Sequence, residues 1–254
     1  MCADLGLCET CVEPKPAQGN AGAFAQYAVA PAQLCAKTDG VDSVAAAGLP
    51  LAGLTAYQAL FTKAGRTFTG DDLGNLKPNQ KLLVIGGATL VGSFAVQLAK
   101  NVGAFVACTA SAKNNARGVA KTEACKALGA DVVIDYGQDE WSDVLAGQEY
   151  DLVFDTIGKQ EDWANASKVL KKGGDFISVA NFAADAAANE SNVFKNFLLK
   201  SDGGDLRDLV AMVKAGKLTV PVDSVVPFAD VPAALARSLA QANAGKIVVD
   251  VARA

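Results

Sequence analysis

The chain has 254 residues, and its 27 acidic and 23 basic side chains leave a net charge of −4 with no run of lysine or arginine, which argues against a nucleic acid or an anionic membrane as partner. No apolar run approaches the ~18 residues of a membrane span, and Met1-Cys2-Ala3-Asp4 does not begin a signal peptide, so a soluble intracellular α/β protein is the expectation. Histidine is absent, which removes Ser-His-Asp and Cys-His catalysis and His-bearing zinc sites and leaves acid–base chemistry to Tyr, Lys, Asp, Glu or the substrate itself.

Residues 1–20 carry Cys, Pro, Gly and Glu without periodicity and read as irregular. Within them Cys8-x-x-Cys11 has the spacing of a metal-ligand pair, and with Cys2 and Cys35 a four-sulfur site can be drawn. Those intervals match no common zinc pattern, so no metal is expected and free thiols in a reducing compartment are the plain reading. Cys108 and Cys125, in apolar surroundings, read as core residues. Residues 23–30 give a strand ending at Pro31, and Lys37-Thr38-Asp39-Gly40 gives a turn. Residues 44–61 form a helical region of small residues broken at Gly48-Leu49-Pro50. Residues 62–80 make a polar connector with turn signals at Gly70-Asp71-Asp72 and Lys77-Pro78-Asn79.

The stretch from Lys81 to Lys100, KLLVIGGATLVGSFAVQLAK, organises the rest. Leu82-Leu83-Val84-Ile85 is the continuous apolar run of a parallel strand covered on both faces. Gly86, Gly87 and Gly92 then free the backbone where the strand reverses and where an apolar helix packs back, ending near Lys100. Exposed N–H groups at that helix start, with the positive end of its dipole, suit a pyrophosphate. Set against the dinucleotide pattern G-x-G-x-x-G, Gly87 stands first, Thr89 second and Gly92 third, so the middle glycine is replaced; the Thr89 hydroxyl could partly substitute, while Leu90 adds nothing polar.

Strand and helix continue to alternate. Residues 105–110 read as a strand, 121–128 as a helix stopped by Gly129, 132–135 as a strand and 141–145 as a short helix. Residues 150–155 follow as a strand, 164–170 as a helix, and 175–180 as a strand after Gly173-Gly174. This alternation with short connections points to α/β architecture, a doubly wound parallel sheet of Rossmann type. Beyond it come a helix over 205–215 closed by Gly216, a strand over 222–228, a helix over 231–242 behind Asp230, and a strand over 246–251, a block that need not share the same sheet.

Several segments together resemble the medium-chain dehydrogenase/reductase superfamily, in its zinc-free quinone oxidoreductase branch that includes zeta-crystallin. GAFAQYAVAP (22–31), LPLAGLTAYQAL (49–60) and VIGGATLVGSFAVQLAK (84–100) are similar to its successive signatures. So are ALGAD (127–131), followed by VIDY (133–136), then FDTIG (154–158) and GKIVV (245–249), all in the family's order. The resemblance implies a Rossmann domain over 47–200 and a GroES-like second domain of which 1–46 are a remnant and to which 201–254 return. An N-terminal β-rich part present in the family is largely missing, Asn114 to Thr122 carries about seven extra residues at loop scale, and Thr89-Leu90 replace a pair of glycines.

By the same resemblance, Thr89, Leu90 and Val91 would lie along the pyrophosphate between Gly87 and Gly92, and Asp155 and Ile157 would end the strand bordering a ribose. Ser111, Lys113 and Asn114 would hold an adenosine 2′-phosphate with Tyr136 beside the ribose, and with no acidic residue ending the second strand NADPH is favoured over NADH. Thr55 and the strand end Ser178-Val179-Ala180 would line the nicotinamide side. The plain readings stand beside these: Thr55 back-bonding within its helix, Tyr136 packing, Ser111 capping. The implied function is zinc-independent hydride transfer from NADPH to quinones or activated alkenes, with no catalytic side chain singled out. The alternative is a cofactor-binding or structural subunit of a larger complex. A homo-oligomer or such a complex, in the cytoplasm or an organelle, is the expected setting.

Overall fold

The apolar run of residues 82–85, followed by a glycine turn and a helix, sits at the centre of the sheet that the alternating pattern implies. The computed structural model describes residues 30–38, 40–61, 72–182, 189–240 and 242–252. Six strands, β1 (Lys81–Ile85), β2 (Phe105–Ala110), β3 (Val132–Asp135), β4 (Tyr150–Asp155), β5 (Leu170–Ser178) and β6 (Val193–Asn196), form one parallel sheet in the order β3-β2-β1-β4-β5-β6. Leu82 sits between Val106 on one side and Leu152 on the other, so the strand of the glycine motif is central. Sequence order reverses at β1, the position at which sheets of this kind bind ligands beyond their carboxyl ends.

The helices before and around the sheet are α1 (Ser43–Ala47), α2 (Pro50–Phe61), α3 (Leu90–Asn101), α4 (Lys121–Ala127), α5 (Trp141–Val144) and α6 (Gln160–Asn165). The expected break at residues 48–50 separates α1 from α2. A core cluster gathers Leu83, Ile85, Tyr150, Val153, Trp163 and Phe176, among others, from strands and helices. Trp163 meets Phe176 edge-on at 5.5 Å and Phe176 stacks on Phe194 at 5.7 Å, contacts worth about 1 kcal/mol each beyond their buried area.

After the sheet come α7 (Gly203–Lys214), β7 (Val222–Pro227), α8 (Val231–Leu239) and β8 (Lys246–Asp250). β7 and β8 pair in parallel as a sheet of their own. The chain divides into two compact units: one holds residues 1–54, 115–117 and 200–254, the other 55–114 and 118–199. In the first unit the Asp202 carboxylate accepts from the N–H groups of Gly204 and Asp205 and so caps α7. Asp202→Ala should cost about 1 kcal/mol in urea unfolding, the usual worth of an N-cap; a loss below a few tenths would show the cap to be idle.

Three expectations need correction, and one strand was not foreseen. The helix expected over 164–170 is α6, which starts at Gln160 and passes into a 3-10 turn over Ala166–Lys168. Glu161 and Asp162 in its first turn suit the positive helix end, whereas Lys159 supplies no side-chain cap to mark the start. The strand expected over 175–180 is β5, beginning at Leu170 and ending at Ser178, with Gly173-Gly174 inside an irregular register: Tyr150 pairs with Leu170 but Leu152 with Asp175. β6 was not anticipated, because Val193–Asn196 is a short edge strand without alternating burial. The helix expected to reach residue 242 ends at Leu239. Residues 23–29, Cys2, Cys8, Cys11 and Gly70-Asp71 lie outside the described residues.

Candidate functional site

At the end of β1 the chain must reverse within a few residues and start α3. Gly86 does so at φ +88°, a conformation that costs an L side chain dearly, and a Cβ there would press on Thr156 and Ile157. At Gly92 a Cβ would run into the Gly86 carbonyl oxygen, so the first turn of α3 rests directly on the strand end. The turn is fastened to β2 by Gly86 N–H donating to Thr109 Oγ1 at 3.0 Å and Gly87 N–H donating to the Thr109 carbonyl at 2.9 Å.

Thr89 is the N-cap of α3, its Oγ1 accepting from Gly92 N–H at 2.9 Å. The Thr156 hydroxyl donates to the Ile85 carbonyl at 2.9 Å, which leaves Thr89 to donate to Thr156 at 3.0 Å. The hydroxyl that replaces the motif's middle glycine is thus turned to the protein. What α3 offers outward is its first-turn backbone, the N–H groups of Leu90 and Val91, which a helix leaves without internal partners, and the positive end of its dipole.

Asp155 closes the neighbouring strand end from beneath. Its Oδ1 accepts from the N–H groups of Ile157 (2.9 Å) and Gly158 (3.0 Å), and its Oδ2 from the Ser178 hydroxyl at 2.7 Å. The Ser178 oxygen in turn accepts from Asn181 N–H at 2.8 Å and Ala180 N–H at 3.2 Å. Asp155 and Ser178 are fully buried, so both side chains hold the β4 and β5 ends in place; Ile157, half-exposed, and Ala180 form the surface they support. Val179 N–H donates to the Asp155 carbonyl and continues the pairing.

Beyond β2 and β3 a cavity of about 270 Å³ is lined by Ser111, Lys113, Asp135, Tyr136 and Gln138, with the backbone of Ala112 and Gly137. Lys113 is exposed and, among the described residues, has no ion pair; Tyr136 is 55% exposed and Ser111 buried. Asp135 Oδ1 accepts from Ala112 N–H (3.1 Å) and Gly137 N–H (3.0 Å), so an acid from the third strand fixes the mouth of the cavity. Asn114 bridges to Ala120, and Lys121 N–H donates to the Lys113 carbonyl, which closes the base of the extra residues.

All the candidate residues fall in the unit that contains the six-stranded sheet. Gly87 to Gly92 and Asp155 to Ile157 come together at neighbouring strand ends; Ser111, Lys113 and Tyr136 share the cavity; Thr55 lies buried on α2. Sequence reading missed Thr109, Thr156 and Asp135. Thr109 had a signal, being a polar residue near the end of an otherwise apolar strand.

The donor chemistry fits an anionic dinucleotide: a glycine-cleared turn, a helix N-terminus and a lysine-bearing cavity one strand over. The chain has no histidine, and among the described residues no three Cys, Asp or Glu side chains converge as a ligand set. Nor, among the described residues, is any helix long and apolar enough to cross a membrane.

A sequence profile described as zinc-binding dehydrogenase matches residues 128–249. The NADPH-dependent alkenal/one oxidoreductase of Arabidopsis thaliana chloroplasts is 34% identical over 233 residues, 90% of this chain and 53% of that one. The chloroplast envelope quinone oxidoreductase homolog of the same plant is 32% identical over 239 residues, 90% of this chain and 69% of its own. Among solved structures, the quinone oxidoreductase of Coxiella burnetii superposes with a TM-score of 0.66 at 27% identity, covering 81% of this chain and 60% of that one. The chain spans about half the length of the first curated relatives it matches.

Proposed function

Because this chain belongs to the medium-chain dehydrogenase/reductase superfamily, in its quinone oxidoreductase branch, we propose that it binds NADPH and reduces quinones or activated alkenes by hydride transfer without zinc. The observation that carries the reading is the cavity beside the glycine turn, where Lys113, with no ion pair among the described residues, offers an ammonium and Ser111 a hydroxyl at the distance of one strand from the helix N-terminus. When bound, the nicotinamide supplies the hydride. The chain's part is to hold and orient. Leu90 and Val91 present backbone N–H groups to the pyrophosphate, Asn114 and Tyr136 flank the adenosine side, and Asp155 and Ser178 keep Ile157, Val179 and Ala180 in position; Thr55 is assigned to the nicotinamide side. That the described residues before 55 and after 199 share one compact unit is the arrangement expected of a Rossmann domain with a GroES-like second domain.

Asp135 tempers the preference for a 2′-phosphate, since its carboxylate shares the cavity with Lys113, but two backbone N–H groups already satisfy one of its oxygens. Lys113→Ala should therefore weaken NADPH about ten-fold, the scale of one charge-assisted contact, while NADH binding stays nearly unchanged. Cofactor fluorescence titration measures both. Equal losses for the two cofactors would remove Lys113 from the 2′-phosphate. NADPH oxidation with a quinone and an enone completes the test: tight binding without turnover on either would turn the reading to a cofactor-binding subunit.

A further inference from the structure

Two cysteines that the nucleotide turn does not use lie directly beneath it. Cys108 on β2 and Cys125 on α4 are fully buried free thiols. A Cβ on Gly87 would stand 2.6 Å from the Cys108 sulfur and 3.3 Å from the Cys125 sulfur, so the sulfurs are neighbours and the Gly87 backbone rests on both. The neighbouring Cys125 sulfur and burial push the Cys108 thiol up, while the Cys108 thiol beside it holds the Cys125 thiol below its usual range. The first proton lost from the pair therefore leaves a thiolate at Cys125 with a second sulfur in reach. Their cover is a residue without a side chain, followed by the exposed Ala88.

We propose that Cys108 and Cys125 form a redox site, oxidised by hydroperoxides to an intramolecular disulfide that displaces Gly87 and weakens dinucleotide binding. The second half rests on reading the turn as the pyrophosphate site. With hydrogen peroxide, the Cys125 thiolate attacks one oxygen, the O–O bond breaks, and the departing hydroxide takes a proton to become water, leaving a sulfenic acid. The Cys108 sulfur then attacks the Cys125 sulfur, the S–O bond breaks, and the hydroxyl leaves with the Cys108 proton as a second water. Two thiols lose two electrons and two protons; one peroxide becomes two waters. Closing to the bonded distance of about 2.05 Å draws β2 and α4 together, and Gly87, in contact with both sulfurs, must move.

The test treats the full chain with hydrogen peroxide, maps peptides without reduction, and titrates NADPH into reduced, oxidised and dithiothreitol-recovered protein. The expected results are a peptide linked through Cys108 and Cys125, NADPH binding weaker by about ten-fold or more after oxidation, and recovery with dithiothreitol. Cys125→Ala should bind NADPH as the reduced protein does and ignore peroxide. The absence of the linked peptide, unchanged affinity once it has formed, or an equal peroxide effect on Cys125→Ala would each overturn the proposal. Reduced protein that binds no NADPH would instead overturn the reading of the turn, whatever the peptide map shows.

Discussion

Gly92→Ala should abolish measurable NADPH binding and lower stability by about 3 kcal/mol or more, the upper end of overpacking penalties. The added Cβ has no flexible neighbour to displace; it meets the Gly86 carbonyl and the Gly87 backbone, the atoms that shape the turn. Relief requires the N-terminus of α3 to lift from β1, breaking the Thr89 cap and the Thr89–Thr156 bond with it. Gly147→Ala is the internal comparison. Gly147 adopts φ +72° but has nothing within 4 Å of its Cβ position, so only a backbone penalty of about 1 kcal/mol applies there. Chemical denaturation of both variants, with NADPH titration, decides the matter, and equal losses would mean that close packing at Gly92 is not what the turn depends on.

Asp162→Asn should raise stability at pH 7.5 by up to about 3 kcal/mol and remove a pH dependence present in the parent. Asp162 is buried, its Oδ1 accepting from Trp141 Nε1–H at 3.2 Å and its Oδ2 without a partner among the described residues. Burial, reinforced by the negative charge of Asp155, raises its pKa from 3.8 to about 6. A folded-state pKa above the unfolded value means that the folded protein binds the proton more tightly. This contribution is complete below about pH 4 and is lost as pH rises through about 6; the span between the two pKa values sets the 3 kcal/mol scale. Asparagine keeps the acceptor for Trp141 and cannot ionise. Asp131 and Asp151 are shifted down, against the pull of burial, by their lysine and backbone hydrogen bonds, and give stability that fades only as pH falls below about 4. Urea midpoints from pH 4 to 8 should fall for the parent between about pH 4 and 6 and level off above, and stay level throughout for the variant; parallel curves would rule Asp162 out.

The central strands were legible because their chemistry is one-dimensional: Leu82 to Ile85 and Val106 to Ala110 are buried on both faces, and apolar runs announce that directly. The glycine turn was legible for the same local reason. Leu170 to Gly174 was not, since Lys171-Lys172-Gly173-Gly174 carries the composition of a turn while the backbone pairs with β4 through an irregular register. The site divided along a similar line. Ser111, Lys113 and Tyr136 were placed by a family pattern and share a cavity, whereas the roles of Thr156, Asp135 and the Cys108–Cys125 pair depend on which strand ends lie side by side. Asp155 shows the difference most sharply. Its position at the end of β4 follows from sequence, but that its carboxylate faces inward to three donors is set by the burial of Ser178 across the sheet.

The strand order has a consequence for how the chain can be made. β1 is the first strand of the large sheet to be synthesised and ends up in its interior, with Leu82 between Val106 and Leu152. β2 can pair with β1 as soon as it emerges, β3 adds outside β2, and β4, β5 and β6 then add in turn to the other side. Each arriving strand meets an open edge, so no completed pairing need be undone to admit a later one. The one long wait is that of β1's second edge, which stays unpaired until Tyr150–Asp155 has left the ribosome, and in that interval its open edge and apolar side chains are the surface a chaperone would hold.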